Sequence, residues 1–375
     1  MPASCRTWGN GELGVLSAIL LLATLPAMVT STSPHDGNMK KISALVIGLI
    51  LLNACGPKLY YPNLDWLIPW YVDDYISLEP DQSSRLRTQL VRQLDWHCRT
   101  QLPEYAEFLR DLHREIGHSD RPVTVERLDA YKMRLIRYWN VLIQQVSPDI
   151  ADIMFSATDE QIDELFENLE KKNRDIENEY VRPPPQKIIQ NRQKRMQKRL
   201  NYWIGDLTEF QLQAVNAWSL QIEPIAADRV AYRRKIQAAG RRILKNRTNP
   251  DELEAALRGL FTNAEEFRTE NYQRKIDINT HRTLELLAYL LENLTPNQRN
   301  HLLNRLESLA TDLDQLSCDP ASKKTGSRKY IRFEKMVYNA AASENPCRRA
   351  RFANICDKPA PSEKIEPMSR FLSAV

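Results

Sequence analysis

The chain has 375 residues, 42% of them hydrophobic and 27% charged, with 52 Lys and Arg against 48 Asp and Glu. That near balance excludes the strongly basic footprint of a general nucleic-acid binder. With only 11 glycines in the whole chain, against a usual share of about 7%, a β-rich fold with many tight turns is excluded as well.

Residues 1–38 hold an apolar run from Leu13 to Val29 preceded by one basic residue, Arg6. Next comes Met39-Lys-Lys-Ile-Ser-Ala-Leu-Val-Ile-Gly-Leu-Ile-Leu-Leu-Asn-Ala-Cys55. Two lysines, a short apolar run from Ile42 to Leu52 and a small residue before Cys55 make a secretory signal. The run is too short for a membrane span, which needs roughly 20 apolar residues in a helix. The ending Leu52-Asn53-Ala54-Cys55 resembles the lipobox of bacterial lipoproteins. That resemblance implies cleavage between Ala54 and Cys55 and acylation of Cys55. Because the signal is complete from Met39, residues 1–38 read as an upstream extension with the true start at Met39. The alternative is a genuine double signal or a membrane-anchored N-terminus. Cleavage leaves 375 − 54 = 321 residues, enough for one large domain or two ordinary ones.

Residues 55–76 form an anchor and an aromatic-rich strap, with six aromatics between Tyr60 and Tyr75. Leu64, Leu67, Ile68 and Val72 interleave them at near-helical spacing, which predicts packing across a helical body. The other reading is the membrane interface, where Trp and Tyr are favoured.

From residue 77 to 316 the pattern is helical. Leu86, Leu90, Leu94 and Cys98 line one helix. Pro103 is expected to open a second, with Tyr105, Phe108, Leu109, Leu112 and Ile116 inward and Gly117 as its stop. Thr124 caps a third, and Ser147-Pro148-Asp149 is expected to start a short new helix to Phe155. Thr158 to Glu179 carries nine acids and three bases, and Lys187 to Arg199 six bases and no acid. With Pro183-Pro184-Pro185 between them, the two are expected to fold back as an antiparallel hairpin. A helix from Thr208 is interrupted at Pro224, and a second basic stretch, Asp228 to Arg247, has eight bases and one acid. Thr248-Asn249-Pro250 is a cap and restart, and residues 264–316 give two helices divided at Leu294-Thr-Pro.

One motif recurs at helix starts: Leu78-Glu-Pro-Asp-Gln82, Ala157-Thr-Asp-Glu-Gln161, Leu207-Thr-Glu-Phe-Gln211 and Leu294-Thr-Pro-Asn-Gln298. Thr158 with Gln161, Thr208 with Gln211 and Thr295 with Gln298 have capping-box spacing, in which the Thr oxygen takes the N3 amide and the Gln returns to the cap amide. Spacings of 79, 50 and 87 residues are too unequal for a solenoid and point to helix pairs.

Residues 317–375 lose the periodicity. From Cys318 onward they carry twelve bases, six acids, five prolines and three cysteines, the composition of a basic, largely disordered tail or of a frame error at the gene's end. Cys98, Cys318, Cys347 and Cys356 allow three full pairings, between which spacing does not choose. Cys98 reads as a small buried residue rather than a reactive thiol. His113 and His118 are five apart, on different helix faces, so no metal pair is expected. Glu160, Glu164 and Glu167 read as a solvated face. There is no Gly-rich phosphate loop and no Gly-x-Ser-x-Gly elbow, and no cofactor is expected.

Two resemblances add to this. Leu64-Asp-Trp-Leu-Ile-Pro-Trp-Tyr-Val-Asp-Asp-Tyr75, followed by Trp96-His-Cys-Arg-Thr-Gln-Leu-Pro-Glu-Tyr105, resembles an uncharacterised family of Gram-negative lipoproteins, which implies an envelope lipoprotein with no assigned activity. Gly56 after the cysteine implies sorting to the outer membrane, facing the periplasm. Leu207-Thr-x-x-Gln211 and Leu294-Thr-x-x-Gln298 are similar to the paired motif of the Spy/CpxP periplasmic chaperones, which implies a helical cradle for unfolded clients. The expectation is therefore an all-α protein, an irregular bundle of about eight or nine helices behind a lipoprotein signal. It would be held in the bilayer through acylated Cys55 and bind other envelope or unfolded proteins without catalysis or nucleic acid. The alternative is an assembly lipoprotein contacting lipopolysaccharide, peptidoglycan or an envelope machine.

Overall fold

The structure, a computed structural model, describes residues 57–118 and 122–318, so residues 1–56 with Ala54 and Cys55, and 319–375, lie outside the described residues. The described part is all α-helix with short 3-10 turns and no strand. The strap comprises α1 (Pro57–Tyr60), a 3-10 turn (Tyr61–Asn63) and α2 (Leu64–Val72). Nine further helices follow: α3 (Pro80–Gly117), α4 (Val125–Ser156), α5 (Asp159–Tyr180), α6 (Pro185–Ile204), α7 (Glu209–Gln221), α8 (Ala226–Lys245), α9 (Pro250–Thr262), α10 (Glu270–Glu292) and α11 (Pro296–Leu316). None is long and apolar enough to cross a membrane among the described residues.

Two of the expected breaks are absent. Pro103 lies inside the continuous 38-residue α3, and Pro148 inside the 32-residue α4. A proline costs its helix one backbone hydrogen bond and a steric clash of about 3 kcal/mol, and burial outweighs it here. Leu102, Ala106, Phe108 and Leu109 flank Pro103 and are almost fully buried. Beside Pro148, the Ser147 hydroxyl donates to the Ile143 carbonyl at 2.6 Å, and Ala151 and Ile153 are buried.

Among the described residues two main cores, with a small third cluster of Ile236, Ala239 and Leu260, organise the bundle. The larger joins α3, α4, α6, α7, α10 and α11 around Leu102, Phe108, Leu135, Leu200, Val215, Leu290 and Leu306. Its axis is the antiparallel pair of α3 and α11, where Ala106 and Ala310 are fully buried and let the helices approach closely. The smaller gathers α5, α8 and α9 with the end of α4 around Ile76, Ala157, Ile162, Leu244, Leu253 and Leu257. The acidic helix α5 packs along α8, not against α6 as expected from sequence adjacency. Its carboxylates meet the second basic stretch: Asp163 with Arg241 and Lys245, Glu170 and Glu177 with Arg234, Asp159 with Arg247. Both basic stretches offer charge, but α8 also buries Leu244 with Ile162, Leu165 and Phe166 of α5 and brings Gly240 against Phe166, whereas Leu200 and Ile204 of α6 are buried in the larger core. Area decides such a choice, because exposed ion pairs contribute a few tenths of a kcal/mol each.

Candidate functional site

Each recurring Gln sits at the N3 position of a capping box. At α5, α7 and α11, the Thr158, Thr208 and Thr295 hydroxyls accept from the backbone amides of Gln161, Gln211 and Gln298 at 3.2, 3.3 and 3.2 Å. At α3 the cap is Glu79, whose side chain plays the same part. The glutamines then reach each other in pairs. Gln82 and Gln161 exchange amide hydrogen bonds at 3.2 and 2.8 Å, and Gln211 and Gln298 do so at 2.9 and 2.8 Å.

The pairing follows one rule. Each Gln oxygen accepts from its own cap amide and from the opposite Gln. Each Gln nitrogen donates to the opposite Gln and to the carbonyl two residues before the opposite cap. Those carbonyls are Ser156 for Gln82, Ser77 for Gln161, Asn293 for Gln211 and Asp206 for Gln298, at 2.9, 2.7, 3.1 and 2.7 Å. Two donors and two acceptors per amide are therefore satisfied inside the protein, which is why four glutamines can be buried to between 1% and 7% exposure. Each clasp ties two helix starts head to head, one in each core: α3 to α5 beside Ile76 and Ile162, and α7 to α11 beside Val215 and Leu302. The motif spacing disclosed the caps. The clasp was hidden, because nothing in a capping box says which Gln faces which.

The cysteine pairing left open by spacing is Cys98 with Cys318. Cys98 is buried as expected, but in a bond that fastens the middle of α3 to the residue pair following α11. The Cys318 backbone amide also donates to the Cys98 carbonyl at 3.1 Å. Asp95 lies close to both sulfurs, but sulfurs joined to each other are not free thiolate ligands. Cys347 and Cys356 lie outside the described residues.

The strap is clamped at several points. Tyr61 is buried, stacks on His97 with ring centroids 5.7 Å apart and shares a 3.0 Å hydrogen bond with its Nδ1. Tyr105 meets the His97 ring edge-on at 5.5 Å. Burial lowers the His97 pKa to about 4, so the ring is neutral at neutral pH. Glu164, read from sequence as part of a solvated face, instead accepts from the Ser77 amide and hydroxyl at 2.9 and 2.7 Å. Asn168 donates to the Tyr75 carbonyl at 3.1 Å. The Tyr71 and Tyr75 hydroxyls hydrogen-bond at 2.9 Å, and burial raises the pKa of both. Beneath them is Arg233, 1% exposed, donating from Nε to Asn173 Oδ1 at 2.9 Å. Burial pulls its pKa down to about 10, with Arg229 adding to the effect, so it remains charged. Trp66 and Trp70, by contrast, point outward at 58% and 49% exposure.

Cations that α5 does not engage remain on two surfaces. Lys187 and Lys194 fall on one exposed face of α6. Burial lowers the pKa of Arg192 on the same helix, with the like charge of Arg195 adding to it. An open groove of about 690 Å³ runs along α8 between Lys235, Arg241, Arg242, Lys245 and Phe267. Asp163 engages Arg241 and Lys245, whereas Lys235 and Arg242 face solvent. Sequence reading singled out the basic runs but not the groove, which depends on Phe267 arriving from the turn after α9.

No curated protein and no solved structure matches this chain. A family of unknown function, DUF6279, matches residues 74–274, from the end of the strap to the first turn of α10, and so more than half of the chain. The protein belongs to that family.

Proposed function

We propose that the protein is an envelope lipoprotein, tethered by acylated Cys55 and working as a non-catalytic binding protein for other envelope components. The observation that carries this reading is the Cys98–Cys318 bond. Disulfides persist in oxidising compartments such as the periplasm and are rare in the cytosol. A structural disulfide in the body and a secretory signal ending at Cys55 are independent features that point to the same compartment. Radiolabelled palmitate should enter the wild-type protein and be absent from Cys55→Ser, with both recovered from the envelope fraction. Label in the variant, or none in the wild type, overturns the tether.

The paired Thr-x-x-Gln motifs supported a holdase reading from sequence. Their glutamines are consumed in the two clasps, which gives the motif an architectural reason to exist. A client surface would then lie elsewhere, and the most exposed large apolar residues of the bundle are Phe210 at 73% and Leu220 at 68%, both on α7. Suppression of aggregation of a denatured client at a stoichiometric ratio, reduced in Phe210→Ser/Leu220→Ser, would support this version. No suppression by the wild type would leave the second reading, an assembly lipoprotein contacting anionic envelope polymers. The observation favouring that reading is the exposed pair Lys187 and Lys194 on α6, since the acidic helix packs along α8 instead.

A further inference from the structure

The strap presents one face that stays exposed. Lys58, Pro62, Trp66 and Trp70 recur every four residues through α1, the 3-10 turn and α2, and all four are exposed. On the opposite side Tyr61, Leu67 and Tyr71 are buried against the bundle. The two outward indoles are a large apolar expense for a soluble surface, since fully burying a large apolar side chain is worth about 1.5–3 kcal/mol. They are also held rigidly there, because the strap is fixed by Tyr61 on His97, by Glu164 on Ser77 and by Asn168 on Tyr75.

We propose that the Trp66/Trp70 face is a bilayer-docking surface. It lies in the headgroup layer of the membrane that carries acylated Cys55 and holds the helical body down on that membrane, so that the protein does not swing on its tether. The inference rests on the lipoprotein reading of Cys55 and adds a second contact to it. Position supports the bilayer as occupant. α1 begins at Pro57, two residues after Cys55 in the sequence, and at about 1.5 Å of rise per helical residue Trp70 lies roughly 20 Å along the strap from Pro57. Chemistry supports it too, since the indole has an apolar body and one N–H donor and collects at membrane–water interfaces.

Charge then selects the kind of membrane surface. The strap carries Asp65, Asp73 and Asp74, and its one cation, Lys58, is engaged by Asp312 at 2.5 Å. Such a face gains nothing from anionic headgroups. Docking is by indole partition into a zwitterionic interface and is insensitive to salt.

The mature protein, purified from the envelope and incorporated into phosphatidylcholine vesicles containing lipid brominated near the top of the acyl chains, tests this. Trp66 and Trp70 are two of the six tryptophans after Cys55, so wild-type emission should be partly quenched. That quenching should be lost in Trp66→Ala/Trp70→Ala and retained in Phe210→Ala/Leu220→Ala, an apolar pair that is more exposed still but lies on α7. Equal quenching of the wild type and the Trp variant overturns the proposal, as does no quenching in either. Quenching that requires anionic lipid and disappears with salt also overturns it and assigns docking to a basic helix. Intact mass of the same sample separates the two readings. An acylated protein without Trp-dependent quenching sinks the docking face alone. An unacylated protein that still shows it sinks the tether alone.

Discussion

His97 shows how a single residue converts its surroundings into a measurable property. An unperturbed imidazole titrates near 6.5, and burial among Tyr61, Tyr105 and the strap lowers this one to about 4. The unfolded chain therefore takes up a proton in the window from about 6.5 down to about 4 while the folded protein does not. Stability is linked to that difference and must fall as pH falls through the window. For a partly buried ring a shift of this size corresponds to a loss on the order of 2 kcal/mol. Comparing melting temperatures of wild type and His97→Gln as pH is lowered should show the wild type losing more stability than the variant. The carboxylates of Asp163 and Glu170, which their Lys and Arg neighbours hold below the usual range, lose stability equally in both proteins and cancel. Parallel slopes for the two proteins would show that His97 has no such role. Sequence could place this histidine on a helix but could not see that Tyr61, 36 residues earlier, would cover it.

At the scale of elements, the helix starts were legible and their partners were not. Caps are local: Thr124, Asn249 and Thr269 each accept from an amide two or three residues on, and the four Gln motifs declare themselves by spacing alone. Continuity through Pro103 and Pro148 is not local, because it depends on burial supplied by α11, α4 and α9 from distant sequence. The same holds for the acidic helix, whose basic neighbour α6 lost the competition to α8. The clasp provides the sharpest test at this scale. Gln211→Ala removes the hydrogen bond to the Thr208 amide, leaves the Asn293 carbonyl unsatisfied and strips Gln298 of one donor and one acceptor. Buried groups left unpaired cost about 1–3 kcal/mol, so the single variants should each be destabilised by that order. Denaturant titration of Gln211→Ala, Gln298→Ala and the double variant should show strong non-additivity, with the double costing much less than the sum. Additive losses would mean that the two glutamines act only as separate caps. The matching cycle on Gln82 and Gln161 should behave alike, because the four bonds are the same.

At the scale of the whole molecule, the described residues form two main cores, each pinned by one Gln clasp, with the strap laid over α3 and α11 drawn back to the same place. Composition and periodicity made the all-α class legible from residue 77 onward. They could not show that the chain closes on itself, since a pairing between Cys98 and Cys318 spans 220 residues and is one of several that counting allows. That closure has a thermodynamic consequence. Joining residues so far apart removes loop entropy from the unfolded chain worth about 5 kcal/mol in the chain-entropy account, a ceiling that real proteins often fall below. The bond also acts on the most extensive helix pair of the bundle, where Arg110 meets Asp314 and Arg299 reaches the Ile116 carbonyl. Because those contacts and the buried Leu302, Leu306 and Leu309 remain after reduction, the reduced protein should keep its helical circular dichroism at room temperature. It should melt several degrees lower, since about 1 kcal/mol shifts a domain of this size by roughly 2–4 °C. Cys98→Ala and Cys318→Ala should each reproduce that decrease without added reductant, and neither should respond further to dithiothreitol. An unchanged melting temperature on reduction would mean that α11 is held by packing alone and that the disulfide contributes nothing to the stability of the fold.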